Sequence, residues 1–328
     1  MALDIGGTTI KAALVDRDGT VMARLRRPTP PHDNGPDEVL AAMLATIDEL
    51  TGAAPRSDGV RAVGLAVTGI VDERRGMAVH SQNVGWRNVP VRSLVEQATR
   101  LPVGFGHDVR AGTLAEWRLG AGRGFEDLVF VPIGTGVSAG VVVGGELFRG
   151  RDGLAGEIGH VVVDEDGPEC ACGLRGCLEA VVAGPALRAM WPSADGKHAQ
   201  DLYRAAAAGD AAAAAAAHRL TVRLTETVQW LAIAYGADLL VMGGGVGSLG
   251  EPLLSSIRDR LSAFADRSEL AGRMVPPDRV VAMPTGHPTG AIGAAVLARQ
   301  RLGDGGAGSK GGVEARTAAT GSDGGGST

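Results

Sequence analysis

Apolar positions along this chain alternate between short runs and helical stripes from one end to the other. Leu3-Asp4-Ile5 predicts a short strand running into Gly6-Gly7-Thr8-Thr9. Lys11 to Asp16 predicts a second strand, Asp18-Gly19 a hairpin turn and Thr20 to Arg27 a third strand. Val39, Leu40, Met43, Leu44 and Ile47 recur at helical spacing and predict a helix from Pro36 to Leu50. Ala62 to Val67 is a buried-strand run. Val89 to Thr99 follows as a helix, Val103 to Phe105 as a strand, and a further helix begins over Gly112 to Leu119. Leu128 to Pro132 and Ala139 to Val143 predict paired strands around a glycine-rich turn. Gly184 to Trp191 and His198 to Tyr235 are largely helical, and Gly209-Asp210 divides the alanine-rich stretch Ala205 to Ala217 into two helical pieces. Leu239 to Met242 is a strand ending in Gly243-Gly244-Gly245. A helix over Leu253 to Ala265, a strand over Val280 to Met283 and a closing helix over Thr289 to Leu302 complete the pattern. Strand hairpins followed by strand-helix alternation occur twice, which predicts an α/β protein of two domains with a cleft between them. The smaller domain is expected over 1–105 with 289–302, and the larger over 106–288.

With 328 residues and 45% hydrophobic content the chain has room for two domains and a sizeable core. Aromatic residues are only 3%, so the core must be built from Val, Leu, Ile and Ala. From about Gly303 to Thr328 the chain is rich in Gly and Ser with almost no large apolar residue. It cannot offset its ordering entropy, and a disordered tail is expected. A net charge of -5 argues against a nucleic-acid partner, and the basic run Arg24, Arg26, Arg27 reads as a solvated strand edge. The most apolar stretch, Leu128 to Val143, is broken by Pro132, Gly134, Thr135 and Gly136, so no membrane span is expected. The N-terminus carries no secretory pattern. Three cysteines grouped at metal spacing fit a reducing cytoplasm better than a disulfide framework.

Those cysteines, Cys170, Cys172 and Cys177, lie in one eight-residue stretch with His160 upstream. Three thiolates and an imidazole make a tetrahedral zinc set, and Gly173 and Gly176 permit the turns that wrap a metal. Unrelated thiols or a C-x-C redox pair are the competing readings. Glu157 and Glu179 flank the stretch, placed to face a small polar ligand. Asp4-Ile-Gly-Gly-Thr-Thr lies in a hairpin and matches neither a Walker loop nor a dinucleotide fingerprint. Gly6 and Gly7 let backbone N–H groups approach phosphate, Thr8 and Thr9 add donors, and Asp4 is suited to hold Mg²⁺ through water; a plain hairpin turn is the alternative. Gly134-Thr135-Gly136 and Gly243-Gly244-Gly245 each follow an apolar strand, at the carboxyl end where α/β proteins bind ligands. Together the three loops are able to surround one nucleotide, although each also reads as a turn. His107-Asp108 sits between a strand and a helix. A carboxylate there can take a proton from a sugar hydroxyl attacking a γ-phosphate, or can simply cap the helix.

In sequence order, Asp4-Ile-Gly-Gly-Thr-Thr, Asn83-Val-Gly-Trp86, Asp108, Glu157-Ile-Gly-His160 and Cys170-x-Cys172-Gly-x-x-Gly-Cys177-x-Glu179 resemble the ROK family of bacterial sugar kinases and repressors. The resemblance runs from Ala2 to about Leu302; the Glu-x-Gly-His and cysteine stretches are its specific part. It implies an actin-like ATPase (ribonuclease H-like) fold with two α/β domains closing on sugar and ATP. Asp108 would be the general base on the sugar O6, and Asn83, Glu157, His160 and Glu179 would bind sugar hydroxyls. His160 would use one ring nitrogen for sugar and the other for zinc, the metal fixing its orientation and tautomer. With Cys170, Cys172 and Cys177 it would close a structural zinc site. Gly6 to Thr9, Gly134 to Gly136 and Gly243 to Gly245 would cradle ATP, with Mg²⁺ near Asp4. A homodimer or homotetramer is implied.

Three features depart from the family pattern. His107 stands where an Asn usually binds a hydroxyl on the C3–C4 side of the sugar, Thr68 stands where Pro is frequent, and only Met1-Ala2-Leu3 precede Asp4. The activity implied is ATP-dependent phosphorylation of a hexose 6-hydroxyl, with glucose the default. His107, as a neutral acceptor for an amine, points alternatively to an amino sugar such as kanosamine or N-acetylglucosamine. A sugar-responsive repressor would carry a helix-turn-helix ahead of the kinase-like part, and a phosphate loop at Asp4 leaves no room for one. A non-catalytic sugar binder is disfavoured by the joint presence of Asp4, Asp108 and all three glycine loops.

Overall fold

A computed structural model describes residues 1–31, 36–52, 59–247, 249–284 and 288–303. Strands β1 (Ala2–Ile5), β2 (Thr9–Val15) and β3 (Val21–Pro28) pair antiparallel in succession. After helix α1 (Pro36–Gly52), strand β4 (Val63–Val67) joins the other side of β1 in parallel. A three-stranded antiparallel sheet of β5 (Ile70–Asp72), β6 (Met77–Ser81) and β7 (Trp86–Val89) then interrupts the pattern. Helix α2 (Val91–Thr99) leads to β8 (Val103–His107), which completes a five-stranded sheet in the order β3-β2-β1-β4-β8. Its β4 is buried at every position, as the continuous apolar run predicts.

Helix α3 (Asp108–Leu119) crosses to the second half, where the order repeats. Strands β9 (Leu128–Pro132), β10 (Gly140–Val143) and β11 (Glu146–Phe148) pair antiparallel, and β12 (Leu239–Gly243) and β13 (Val280–Ala282) extend β9 in parallel, giving β11-β10-β9-β12-β13. Between β11 and β12 lie α4 (Leu178–Val182), α5 (Gly184–Met190), α6 (His198–Ala207) and α7 (Ala211–Tyr235); Asp210 caps α7 by accepting from Ala213 N–H. The single turn α8 (Gly244–Gly247), α9 (Glu251–Ala265) and α10 (Glu269–Met274) lie between β12 and β13, and α11 (Thr289–Arg301) closes the described chain.

The two helices that follow the fifth strand of each sheet are exchanged between the sheets. Helix α11 packs back on β1, β4 and β8, while α3 reaches β9 and β10, and the two helices lie against each other. Glycines make these contacts possible. A Cβ on Gly64 would overlap the Ala294 carbonyl, one on Gly104 the Leu297 carbonyl, and one on Gly293 the Ala111 carbonyl. Two larger apolar cores flank this junction. One joins β1, β2, β4 and β8 to α1 and α2 around the fully buried Trp86, and the other joins the second sheet to α7 and α9.

Several boundaries differ from the sequence expectation, each for a local reason. Residues 70–89 form the small sheet, whose strands are too short and too polar to stand out by alternation. Its strand β7 delays the start of α2 until after Pro90. Helix α3 begins at Asp108 and not at Gly112, because Arg110 and Ala111 are buried within it. Strand β11 and helix α10 have mostly exposed faces and no strong apolar stripe. The Gly243-Gly244-Gly245 segment is a strand end followed by a helical turn, where a loop is expected. The expected disordered tail falls beyond residue 303, outside the described residues. No described helix is long and apolar enough to cross a membrane.

Gly293→Ala should lower stability by about 1–3 kcal/mol through overpacking, reversing the gain of up to about 1 kcal/mol that Ala normally brings to a helix interior. The urea midpoint should fall at unchanged slope; a higher midpoint would show that α3 and α11 are not in close contact.

Candidate active site

The carboxyl ends of the parallel strands of both sheets border a cavity of about 510 Å³. Asp4 and Lys11 line it from the first sheet, Gly244 and Phe130 from the second, and Asp108 and Gly290 from the starts of α3 and α11. Asp4 leaves β1 opposite Lys11 of β2, whose Nζ lies 3.4 Å from its carboxylate. Burial raises the Asp4 pKa, Lys11 counters it, and Asp108 pushes it up again. Gly290 gives the Asp4 carboxylate its place at the start of α11, since a Cβ there would overlap Oδ2.

Asp108 is the first residue of α3. Its Oδ1 accepts from the Val109 N–H at 2.7 Å and lies 3.3 Å from His107 Nε2. The position before the helix belongs to His107, whose side chain makes no cap bond. Enclosure by protein raises the Asp108 pKa to about 6, against the opposing pull of the Val109 N–H and the Arg110 guanidinium. His107 is only 7% exposed, and burial together with Arg110 pushes its pKa down to about 4. The ring is therefore neutral near pH 7. Its Nε2 faces Asp108 Oδ1 at 3.3 Å and Glu157 Oε1 at 3.9 Å, which assigns the proton to Nε2. That leaves Nδ1 as a buried acceptor without a hydrogen-bond partner among the described residues.

Asp108, His107 and Glu157 are thus brought together. Gly134 to Gly136 and Gly243 to Gly245 also become neighbours, because the Ile133 N–H donates to Gly243 O and the Val246 N–H to Ile133 O. The Gly6–Thr9 loop closes through the Gly6 N–H to Thr9 O, and Thr29 Oγ1 donates to Gly6 O at 2.6 Å. Asn83 abuts that loop, and a Cβ on Gly7 would lie 2.5 Å from its own. Glu179 turns to the second loop, where its Oε2 accepts from the Val137 N–H at 3.2 Å.

The ligand atoms of His160, Cys170, Cys172 and Cys177 lie within 4.8 Å of one another. Cys170 Sγ is 3.6 Å from His160 Nδ1, and Cys172 Sγ is 3.6 Å from Cys177 Sγ. Tetrahedral zinc with Zn–S near 2.3 Å needs ligand separations of about 3.8 Å, so the donor set and spacing fit the metal. Gly173 (φ 91°) and Gly176 (φ 66°) occupy the left-handed region, as the expected tight turns require. Since Nδ1 faces the thiols, His160 keeps Nε2 for another partner.

Some bordering residues carry no motif. Lys11 is readable only through its register with Asp4. Arg24 and Arg26 are exposed on the edge strand β3, as a solvated edge requires, but they also border the cavity. Arg27 turns to α1 and binds Thr46 and Glu49. Glu73 and Arg110, packed beside His107, come from stretches to which the sequence pattern assigns no element, residue 73 lying between the strand ending at Val67 and the helix from Val89, and Arg110 before the helix expected from Gly112.

The ROK family model matches residues 1–301. A glucokinase of Thermotoga maritima is 33% identical over 92% of this chain and 98% of its own length. An N-acetylmannosamine kinase of Escherichia coli O1:K1 / APEC is 34% identical over 92% of this chain and 99% of its own. Among solved structures, a ROK family glucokinase from Streptomyces griseus in complex with glucose and AMPPNP superimposes with a TM-score of 0.75. It has 33% identity and covers 91% of this chain and 98% of its own. The repeated five-stranded sheets with exchanged helices are the actin-like ATPase fold, and the chain belongs to the ROK family.

Proposed function

We propose that the protein is an ATP-dependent sugar kinase that phosphorylates the primary 6-hydroxyl of a hexose, with glucose as the default substrate. The observation that carries this reading is Asp108, a carboxylate of raised pKa in a cavity bordered by both halves of the molecule. The glucokinases and N-acetylmannosamine kinases among its relatives support the reaction class.

On this reading the sugar O6–H hydrogen-bonds to Asp108. As O6 attacks the γ-phosphorus, the bond to the β–γ bridging oxygen breaks, ADP leaves and Asp108 takes the hydroxyl proton. The backbone of Gly6 to Thr9, Gly134 to Gly136 and Gly243 to Gly245 holds the phosphate chain and nucleoside. Asp4 would hold Mg²⁺, which when bound supplies positive charge against the phosphates. Asn83, Glu157, Glu179 and Nε2 of His160 bind the sugar hydroxyls. Cys170, Cys172, Cys177 and Nδ1 of His160 would hold zinc, which when bound supplies rigidity to their loop. Residues 1–105 with 289–302, and 106–288, act as the two domains of the cleft. A reducing cytoplasm suits the thiols, and assembly is as a homodimer or homotetramer.

A second reading rests on His107. Its neutral ring stands beside Asp108 where the family usually has Asn, which changes the donor and acceptor pattern there, and the N-acetylmannosamine kinase relatives favour an amino sugar too. Turnover over glucose, mannose, N-acetylmannosamine, N-acetylglucosamine and kanosamine decides between the two. A strong preference for glucose would retire the amino sugars.

Asp108→Asn should lower kcat by about 10² to 10⁴ with little change in sugar affinity. Near-normal turnover in that variant would remove Asp108 as the base. In the wild type the base must be ionised, so kcat/KM should rise with pH through about 6. A limb near pH 4, the ordinary range of an aspartate, would mean that burial does not raise the pKa of the base. Stripping metal with a chelator should loosen the Cys170–Cys177 loop and weaken sugar binding more than nucleotide binding. Calorimetry beside metal analysis checks this, and equal loss of both affinities would count against it.

A further inference from the structure

Behind the His107-Asp108 pair lies a charge cluster that belongs neither to the glycine loops nor to the cysteine motif. Glu73 sits in the turn after β5 with its side chain 14% exposed. Its Oε1 accepts from the His107 backbone N–H at 3.2 Å and from Arg110 Nε at 2.7 Å, and its Oε2 accepts from Arg149 Nε at 2.7 Å. Arg110 is 3% exposed and donates through Nη1 to Gly153 O at 2.7 Å. Arg92 of α2 donates to the main-chain carbonyls of Glu73 and Arg74 and so holds the turn in place.

These bonds join three separate segments. One is the small β5–β7 sheet, the second is the junction of β8 and α3 that carries Asp108, and the third runs from Arg149 through Gly153 to Glu157. Burial acts to raise the Glu73 pKa, but the two guanidinium groups outweigh it and hold the carboxyl below its usual range. The cluster is thus a charged, hydrogen-bonded set in which Glu73 is held through both carboxylate oxygens, while Arg92 Nε is buried without a partner among the described residues.

We propose that Glu73 and Arg110 are positioning residues for the sugar end of the site. Glu73 fixes the His107 backbone, and with it the bearing of Asp108. Through Arg110 it also fixes the carbonyl of Gly153, at the head of the segment that delivers Glu157. One carboxylate therefore sets the spacing between the base and an acid on the opposite side of His107. This inference rests on the sugar-kinase reading of the site.

The test uses the full chain in two variants, Glu73→Gln and the double variant Glu73→Gln/Arg110→Met, each assayed beside a thermal melt. Gln keeps the shape but offers one acceptor where Glu offers two, and it leaves Arg110 buried without its counter-charge. The single variant should lose stability and raise the sugar KM by about tenfold, with ATP KM within about twofold of wild type. The double variant removes the stranded charge, so its melt should recover while the sugar KM stays raised. That split separates positioning from scaffolding. Sugar and ATP KM rising together, or a folded double variant with wild-type sugar KM, would overturn the proposal. If the single variant does not fold, the double variant alone decides it. A wild-type chain inert with every sugar sinks the kinase reading and this inference with it. An active wild type with indifferent variants sinks this inference only.

Discussion

The contact between α11, α3 and the first sheet is the constraint on which the rest of the molecule depends. Helix α11 lies so close to β4 and β8 that the Ala294 and Leu297 carbonyls take the space where Gly64 and Gly104 would carry side chains. Its own Gly293 admits the Ala111 carbonyl of α3. Any larger residue at these points would push a helix outward. The consequence reaches the cavity, because both helices begin there. Helix α11 starts beside the Asp4 carboxylate, and α3 starts with Asp108. The closeness of two helices thus fixes how far apart two acids on different elements stand, and Asp4 feels the charge of Asp108.

The electrostatics follow from that crowding. Asp4 and Asp108 line the cavity and Glu73 lies behind His107, and negative charge drawn out of bulk water requires compensation. Lys11 answers Asp4, while Arg110 and Arg149 answer Glu73. Asp108 has no arginine in direct contact, and burial raises its pKa to about 6 against the Val109 N–H and the fields of Arg110 and Lys11, with His107 Nε2 3.3 Å away. Carboxylates of equal chemistry are driven apart by partners, one held firmly ionised and the other poised near neutrality. The neutral ring of His107 between Asp108 and Glu157 separates two anions without adding a charge of its own.

The parts of the fold that were legible in the sequence are those with a period or a sharp chemical signature. Strands such as β4, β9 and β12 are uninterrupted apolar runs, and α7 carries an Asp cap and a long stripe. The cysteine cluster and the glycine loops are visible because few other structures need those residues so close together. The small β5–β7 sheet was illegible because its strands are three to five residues long and half polar. Glu73 and Arg110 were illegible for a different reason. Each is an ordinary turn or helix residue until the fold, 37 positions of chain apart, sets them 2.7 Å from each other. Burial, which no local pattern announces, turns a surface-type pair into part of the site.

The two ends of the cleft are made of different material, and this bears on how such a chain can change substrate. On the proposed reading the nucleotide end is made mostly of main chain, namely three glycine loops held by backbone bonds such as Ile133 N–H to Gly243 O. Backbone donors look alike whatever side chain precedes them, so that end has little freedom to alter what it binds. On the same reading the sugar end is made of side chains, His107, Asp108, Glu157 and His160, carried on segments tied together by Glu73, Arg110 and the cysteine loop. A single exchange there, as at His107, trades one donor and acceptor pattern for another while the supports stay in place. Relatives of similar identity whose names specify glucose and N-acetylmannosamine are what such a division of labour would produce. The positions most worth comparing among them are therefore the side chains behind the sugar, more than the loops around the phosphate.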